Sequence, residues 1–405
     1  MPPRIVVVCS VPNTKYQIPN TANHARLRVA IVHDWLVGGG AEKVVLELHH
    51  MFPEAPIYTS YATDEWRERL DGKVVTGWLQ HFGRIRKVMI LPRIWWFTHL
   101  DLTDYDLIIS SSGNGEAFAV RKNYRPLKKR LFRFFHLPYS IYQLPIHINY
   151  CHSPTHYYWR HYDQYMAEPG FGIFNPLARL GLKLLVAPLR KWDFKAAQRA
   201  DIILANSTHI QTDIREYYKR ESEIVFPPVN TKPFNDAAPQ PRSGYLSLGR
   251  QVPQKFVHII IEACTKLQKP LLVAGNGPEH EHLEKIAGPS VIFDGSRFPD
   301  EQTVQYMASS EAFIFSSLED FGITPVEAMA AGTPVIAYRG GGALDYVTPG
   351  VTGEFFDEQT AESLQSVLET FNPAKYNPDD IKSASQRFSI EEFHKNMRNV
   401  IEIAL

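Results

Sequence analysis

The 405-residue sequence has few cysteines and no long apolar run. Its three cysteines, Cys9, Cys151 and Cys264, are far apart and form no disulfide framework, which fits a reducing cytoplasm. No apolar stretch approaches the ~18 residues that a membrane-spanning helix needs. The apolar residues at 5–9 are too few for the core of a signal peptide. We therefore expect a cytoplasmic protein.

The chain also lacks an excess of charge of either sign. It carries 43 Lys+Arg and 43 Asp+Glu, so its formal net charge is +0 at pH 7. This balance disfavours a polycationic nucleic-acid binder, and we expect no nucleic-acid partner. The 44% apolar content can fill ordinary cores, and the length predicts two or three domains.

Apolar, strand-like runs alternate with helical stretches along the chain. In the first half the runs lie at residues 28–34, 107–110, 201–205 and 224–226. A proline-containing stretch at 225–241 resembles a linker, after which runs recur at 245–249, 270–275, 291–293 and 312–315. This alternation predicts an α/β fold of two doubly wound domains facing a cleft. Ligands of such sheets bind beyond the carboxyl ends of the strands.

Residues 313–337 follow the pattern strand, loop, helix, strand, with two carboxylates across the loop. Glu319 and Glu327 stand eight positions apart. Residues 324–327 fit a capping box, with Thr324 as N-cap, proline as the first helical residue and Glu327 as the third. Glu327 therefore has a structural interpretation beside any functional one.

The whole stretch resembles the E-x7-E element of the family 4 retaining glycosyltransferases, which belong to the glycosyl transferases group 1. The match includes the Phe-Gly after Glu319, the Glu-Ala-Met-Ala that begins at Glu327 and the Gly-Thr-Pro-Val-Ile at 332–336. The resemblance implies a GT-B fold of two Rossmann-like domains. An acceptor-side domain would span residues 1–230 and be completed by a C-terminal helix at 388–405. A nucleotide-sugar-binding domain would span residues 240–387.

The resemblance also implies a donor site in the second domain. Arg250 and Lys255 follow Gly249 at the place where the family grips the donor pyrophosphate. Cations there stabilise the negative charge that the leaving diphosphate gains; solvated surface cations are the alternative. Gly275 and Gly277 form a Gly-Asn-Gly-Pro turn similar to one that lies near the base in the family, although the same pattern also occurs in plain turns.

In the carboxylate loop itself, the resemblance places Glu319 near the sugar ring and Glu327 on the ribose hydroxyls. Backbone amides would face the phosphates from a helix N-terminus; these belong to Phe321, Gly322, Ile323 and Thr324. The turn that follows ends in Asp345 where the family usually has glutamate, and we do not count Asp345 as a site residue.

On the acceptor side, a glycine turn opens the first helix at Gly38, Gly39 and Gly40. The family has Gly-Gly-Ala-Glu here, near the donor phosphate and the acceptor. A glycine-rich turn at a helix N-terminus can face a phosphate, and a simple tight turn is the alternative. A dehydrogenase fingerprint would need glycine where Lys43 stands.

Residues 149–159 resemble the family segment Cys-His-(Ser/Thr)-Pro-x-Arg-Tyr-x-Trp. His152 is accordingly the candidate for contact with the transferred sugar, while His156 occupies the family's arginine position. Together with Cys151 and His161 these histidines lack a second ligand pair at metal spacing, so no metal is expected. The triplet Asp-Tyr-Asp at 104–106 is interpreted as loop carboxylates before a strand.

A basic segment at residues 121–149 interleaves cations with aromatic side chains. Its cations are Arg121, Lys122, Arg125, Lys128, Lys129, Arg130 and Arg133. Such a segment can lie on an anionic membrane surface, and residues 84–97 form a second patch of similar character. A solvated basic face or a nucleic-acid contact are the alternatives. We expect peripheral attachment at the inner face of the cell membrane.

The resemblance thus implies a retaining, metal-independent hexosyltransferase of cell-surface polysaccharide synthesis. It would move a sugar from a nucleotide-sugar donor to a glycan or polyprenyl-linked acceptor, without a cofactor beyond the donor. Likeness to bacterial polysaccharide mannosyltransferases favours mannose from GDP-mannose. His152, Arg250, Lys255 and Glu319 would be catalytic. A nucleotide-sugar epimerase of similar fold and a non-catalytic nucleotide-sugar-binding protein are the two alternatives.

Overall fold

The computed structural model describes residues 27–113, 116–122, 144–167, 172, 175–295 and 300–405. The predicted basic segment lies outside these residues except for its two ends. The side chains of residues 84–88, in the second predicted patch, also lie outside the description.

The first domain is built on a parallel sheet with the strand order β3-β2-β1-β4-β5-β6-β7. Its strands are β1 (Val29–His33), β2 (Ile57–Thr59), β3 (Val74–Thr76), β4 (Leu107–Ser112), β5 (Ile146–Cys151), β6 (Ile202–Ala205) and β7 (Glu223–Ile224). Its helices are α1 (Gly40–Met51), α2 (Asp64–Arg69), α3 (Ile90–Thr98), α4 (Tyr162–Ala167), α5 (Asn175–Ala197) and α6 (Thr208–Asp213). Helical segments of other types than α are Trp78–Val88, Ala117–Ala119 and Ile214–Tyr218.

The second domain repeats this plan with the order β10-β9-β8-β11-β12-β13, again with parallel neighbours. Its strands are β8 (Tyr245–Leu248), β9 (Leu271–Ala274), β10 (Val291–Asp294), β11 (Ala312–Phe315), β12 (Val335–Tyr338) and β13 (Gly353–Phe356). The helices from here to the end of the chain are α7 (Lys232–Asn235), α8 (Val257–Lys266), α9 (His280–Ile286), α10 (Asp300–Ala308), α11 (Ile323–Ala330), α12 (Ala343–Tyr346), α13 (Ala361–Thr370), α14 (Pro378–Ser385) and α15 (Ile390–Ala404). Three-residue helices occur at Pro253–Lys255, Pro373–Lys375 and Gln386–Phe388.

In both sheets, the chain reverses the direction in which it adds strands at the same place in the strand order. The chain winds outward from β1 to β3 and then returns to place β4 beside β1; β8 and β11 are related in the same way. Crevices for ligands form at such switch points, at the carboxyl ends of the strands. The prediction of two doubly wound α/β sheets is confirmed.

The central strands are apolar because both of their faces are covered. All five residues of β1 are buried. On one face of the first sheet, α1 packs together with the C-terminal helix α15, which inserts Phe393 and Met397. On the other face lie α3, through Phe97, and the short helix Ala117–Ala119. In the described parts of the chain, no helix is both long and apolar enough to span a bilayer.

A buried ion pair ties α3 to the loop after β4. Arg93 and Glu116 are 1% and 2% exposed, and Nε and Nη2 of Arg93 lie 2.8 and 3.0 Å from the two carboxylate oxygens of Glu116. Burial raises the pKa of Glu116 above its ordinary value, against the opposing effect of Arg93. Trp96 and Phe97 are buried too. The interpretation of Arg93, Trp96 and Phe97 as part of a membrane-facing basic patch is therefore wrong.

We expect Arg93→Ala to lower the free energy of unfolding by about 3 to 5 kcal/mol, because Glu116 would lose its partner inside the protein. Urea unfolding measures this loss. The control is Arg215→Ala, which breaks an ion pair to Glu221 between largely exposed side chains and should leave stability nearly unchanged. Equal effects of the two substitutions would contradict the structural role of the buried pair.

Candidate functional site

A cleft of about 600 Å³ lies where the switch points of the two sheets face each other. From the first domain it is lined by residues that follow β1, β4, β5 and β6, and by the start of α1. From the second domain it is lined by the loop between β11 and α11, here called the carboxylate loop, and by the first turns of α11. The predicted site residues His152, Gly38, Gly39, Gly40, Glu319, Phe321, Gly322, Ile323, Thr324 and Glu327 line it.

Lys255 and Glu319 are brought together from separate segments. Lys255 ends the short helix after β8, and its Nζ contacts Oε1 of Glu319 in the carboxylate loop. Ser317 Oγ donates to the same carboxylate oxygen at 3.2 Å, and Ser316 Oγ donates to the Lys255 carbonyl at 2.7 Å. Burial and then neighbouring Arg250 lower the pKa of Lys255 to about 8. A cation and a carboxylate therefore lie side by side at the carboxyl ends of the strands of the second sheet.

Two glycines after β12 hold the carboxylate loop from behind. A Cβ on Gly341 would lie 2.2 Å from the carbonyl oxygen of Glu319, and a Cβ on Gly342 would lie 2.2 Å from that of Phe321. The Gly342 amide donates to the Glu319 carbonyl at 2.9 Å. Any other residue would force the loop outward, so these glycines fix the position of Glu319.

The predicted capping box at the start of α11 is wrong. The helix begins at Ile323, one residue before Thr324, and its N-cap is Gly322. Gly322 has φ +89°, and a Cβ there would lie 2.9 Å from Tyr346 Oη, so the backbone turns earlier than the Thr-Pro pair suggested. Glu327 is thus the fifth helical residue. Its carboxylate accepts a hydrogen bond at 3.0 Å from Nζ of Lys43 in the first domain.

Residues at the start of α11 line the cleft, and the Phe321 ring packs into the core of the second domain. That ring is buried, with centroids 5.9 Å from Phe226 and 5.5 Å from Phe388, the two segments by which the chain enters and leaves the second domain. The first amides of a helix lack intrahelical acceptors and carry partial positive charge. The loop therefore combines a firmly anchored side chain with amides suited to an anion.

Gly249, Gly275 and Gly277 are not among the residues that line the cleft. Cβ atoms on Gly275 and Gly277 would lie 2.2 and 2.1 Å from the carbonyl oxygens of Gly249 and Gln251. These two glycines let the loops after β8 and β9 run against each other. Arg250, in the first of these loops, is exposed and also outside the cleft lining. The structure therefore gives Gly275 and Gly277 a packing role.

A side chain of α1 itself binds backbone amides of the glycine turn that precedes this helix. The Glu42 carboxylate accepts from the amides of Val37 at 3.2 Å and Gly38 at 3.0 Å. Gly38 has φ +113°. A Cβ on Gly40 would lie 3.2 Å from the Ile323 side chain, so the N-termini of α1 and α11 meet across the cleft. Two positive helix ends consequently converge on one space.

His152 is held as a neutral imidazole at the carboxyl end of β5. Its Nε2 lies 2.8 Å from Ser111 Oγ, and its ring centroid is 6.4 Å from that of His33. Burial, followed by His33 and His156, lowers the pKa of His152 to about 3. At neutral pH it offers a hydrogen bond and no charge.

Asp34 is a lining residue that the sequence reasoning missed. It follows β1 directly, is buried, and accepts the amides of Gly113 at 3.0 Å and Ala117 at 2.9 Å. It thereby fixes the loop after β4 against the cleft. A polar residue at the carboxyl end of a buried strand was a usable signal for it.

The sequence reasoning also missed a group of charged side chains that joins the two domains through Asp320. Its carboxylate oxygens lie 3.6 Å from Arg160 Nη1 and 3.7 Å from His156 Nε2. Arg160 also contacts Asp213 on α6. Burial raises the pKa of Asp320 to about 6, against Arg160. Arg160 lies four residues beyond His156, one turn further along the chain, so a cation is present near the family's arginine position although its sequence number differs.

The histidines near His152 and the Asp-Tyr-Asp triplet were also considered as metal ligands. Within the described residues, no three His, Cys, Asp or Glu side chains are grouped to hold a metal ion. Asp106 instead accepts from the backbone amide, Nε and Nη2 of Arg28 at 3.1, 3.1 and 2.7 Å. It therefore anchors the residue that precedes β1.

Comparison with known proteins agrees with this geometry. Residues 228–386 match the family described as Glycosyl transferases group 1. An uncharacterised glycosyltransferase of Methanocaldococcus jannaschii is 26% identical over 215 residues, which are 51% of this chain and 61% of that protein. The human alpha-1,3/1,6-mannosyltransferase ALG2 is 27% identical over 226 residues, 47% of this chain and 54% of that protein. The matched stretches thus span little more than half of these two relatives.

Among solved structures, Anabaena HepE in complex with UDP superposes with a TM-score of 0.64 at 16% identity. The superposition covers 93% of this chain and 99% of that chain. The two facing Rossmann-like domains therefore form a GT-B fold.

Glu327→Gln tests whether this carboxylate binds a ligand or only supports α11. The amide keeps an acceptor for Lys43 but loses the charge, so we expect an almost unchanged melting temperature. A charge-assisted hydrogen bond to a ribose hydroxyl would be weakened, lowering nucleotide-sugar affinity about tenfold in calorimetric titration. Glu362→Gln, on the exposed first turn of α13, is the control. A large loss of stability with unchanged affinity would support a purely structural role.

Proposed function

We propose that this chain, whose residues 228–386 match the group 1 glycosyl transferases, moves a sugar from a nucleotide-sugar donor to an acceptor hydroxyl with retention of anomeric configuration. The observation that carries the proposal is the contact of Lys255 with Glu319 beside the N-terminus of α11. It places a cation beside the carboxylate and the amides of the carboxylate loop, although Lys255 itself is not among the residues that line the cleft.

The diphosphate would bind where positive potential is concentrated. The amides at the start of α11, the Lys255 ammonium and Arg250 behind it would meet the charge that develops as the sugar leaves. The carboxylate loop that leads to these amides is fixed before the donor arrives, because Gly341 and Gly342 pack against its backbone. They would therefore favour the transition state over the bound donor.

The acceptor would react from the first-domain side of the sugar. Its hydroxyl oxygen forms the new bond to the anomeric carbon while the bond from that carbon to the phosphate oxygen breaks. The hydroxyl proton passes to the leaving phosphate on the same face, so no protein nucleophile is required. Glu319 and neutral His152 would hydrogen-bond the sugar, and Glu327 would hold the ribose.

The finer identity of the substrates belongs to the same proposal. We favour mannose from GDP-mannose and a glycan or polyprenyl-linked acceptor of cell-surface polysaccharide synthesis. Similarity to the human mannosyltransferase supports the choice of mannose. The transfer needs no metal and no cofactor in this scheme.

The proposed function is tested by thermal-shift screening of nucleotide sugars, followed by a transfer assay with the donor that binds. We expect transfer in EDTA, with a product of retained configuration. Lys255→Ala and Arg250→Ala should each lower turnover by roughly two orders of magnitude, as when one preorganised donor is lost. Conversion of the donor without an acceptor would indicate an epimerase, and binding without turnover would indicate a binding protein.

Lys255 also predicts a pH dependence. Its pKa of about 8 in the free protein means that the charged form is lost as the pH rises through that value. We expect kcat/KM for the donor to fall on the alkaline side with a midpoint near that pKa. Lys255→Arg keeps its charge and should remove this alkaline limb even where its rate is lower. An alkaline limb that is identical in both proteins would assign it to another group.

A further inference from the structure

The N-terminal half of α5 presents leucines to solvent. Leu177, Leu180 and Leu184 are 68%, 54% and 66% exposed, and their spacing of three and four residues places them along one side of the helix. Residues 175–185 include no buried side chain, whereas the second half of α5 anchors in the domain through residues such as Leu189 and Ala196. The first half therefore projects an apolar stripe that no described part of the protein covers.

Along this part of α5, every charged residue is positive. From residue 175 to residue 192 the helix contains Arg179, Lys183, Arg190 and Lys191 and no acidic residue. Lys183 and Lys191 are exposed. Asp193, the first carboxylate, is buried and accepts hydrogen bonds from Thr155 and Trp159. The exposed side of α5 is consequently both apolar and cationic.

On the same face of the first sheet, a second helix also exposes an aromatic group. On α3, Leu91 and Trp95 are 60% and 54% exposed and stand four residues apart. Both α3 and α5 pack against the short helix Ala117–Ala119, on the face of the first sheet opposite α1 and α15. Indole rings favour the boundary between lipid and water.

We infer that this leucine–lysine surface, formed by Leu177, Leu180, Lys183 and Leu184, docks the protein onto an anionic lipid bilayer. Leucines at this spacing enter the headgroup boundary while lysines beside them meet anionic lipids. A second copy of the chain fits less well, because a twofold contact would place this positively charged surface against an identical, positively charged surface. Only the purpose of docking rests on the proposed function, since a polyprenyl-linked acceptor is presented at such a membrane.

The test is co-sedimentation of the full chain with phosphatidylcholine vesicles, with and without phosphatidylglycerol. We expect binding to the anionic vesicles that decreases at high salt, and little binding to the neutral ones. Leu180→Glu with Leu184→Glu should reduce vesicle binding roughly tenfold or more, because charge replaces the inserting apolar groups. The control is Ile403→Glu on α15, an 81% exposed apolar residue on the opposite face, which should bind like the wild type.

Vesicle binding that survives the double leucine substitution would overturn the inference. So would a wild-type dimer in sedimentation velocity that the same substitution dissociates, with no vesicle binding, because a second copy would then cover the surface. Measuring donor affinity in solution distinguishes a failure of this inference from a failure of the proposed function. The double variant should keep wild-type donor affinity and melting temperature, and vesicle binding by a protein that never turns over a nucleotide sugar would refute the function alone.

Discussion

The geometry of the cleft depends on holding the carboxylate loop between β11 and α11 in one position. The loop carries Glu319 and Asp320, and its backbone is packed so closely against Gly341 and Gly342 that no Cβ fits there. Lys255 contacts Glu319 from the same domain, while Arg160 and His156 approach Asp320 from the other. A loop fixed in this way can keep amides and charges aimed at a developing charge without reorganising when the donor reacts.

The same loop region is where the two domains meet. Three carboxylates of the second domain receive groups of the first: Glu327 from Lys43, Asp320 from Arg160 and Asp345 from the Thr208 amide at 3.0 Å. Asp345, where the family usually has glutamate, thus serves as a link between domains. These contacts offset negative charge beside the space that a diphosphate would enter. The contacts that join the two domains therefore also reduce the negative charge beside the proposed diphosphate site.

The sequence predicted the parts of the fold that local patterns specify. Strand β1 is buried on both faces and reads as an uninterrupted apolar run, and the Glu319 loop has a recognisable strand–loop–helix context. The capping box failed because Gly322, with its positive φ, starts α11 before the Thr-Pro pair. Arg93 was misinterpreted because its partner, Glu116, is 23 residues away and inside the protein. Asp34 and Arg160 act through tertiary contacts, which spacing along the chain does not encode.

The central claim is that a nucleoside diphosphate binds between Lys255 and the N-terminus of α11, with its ribose on Glu327. A crystal structure of the protein soaked with GDP or UDP measures this directly. The account predicts phosphate oxygens within hydrogen-bonding distance of the amides near Ile323 and of Lys255 Nζ, with Lys43 displaced from Glu327 by the ribose. A nucleotide bound elsewhere, with the Lys43 to Glu327 contact still at 3.0 Å, would contradict it.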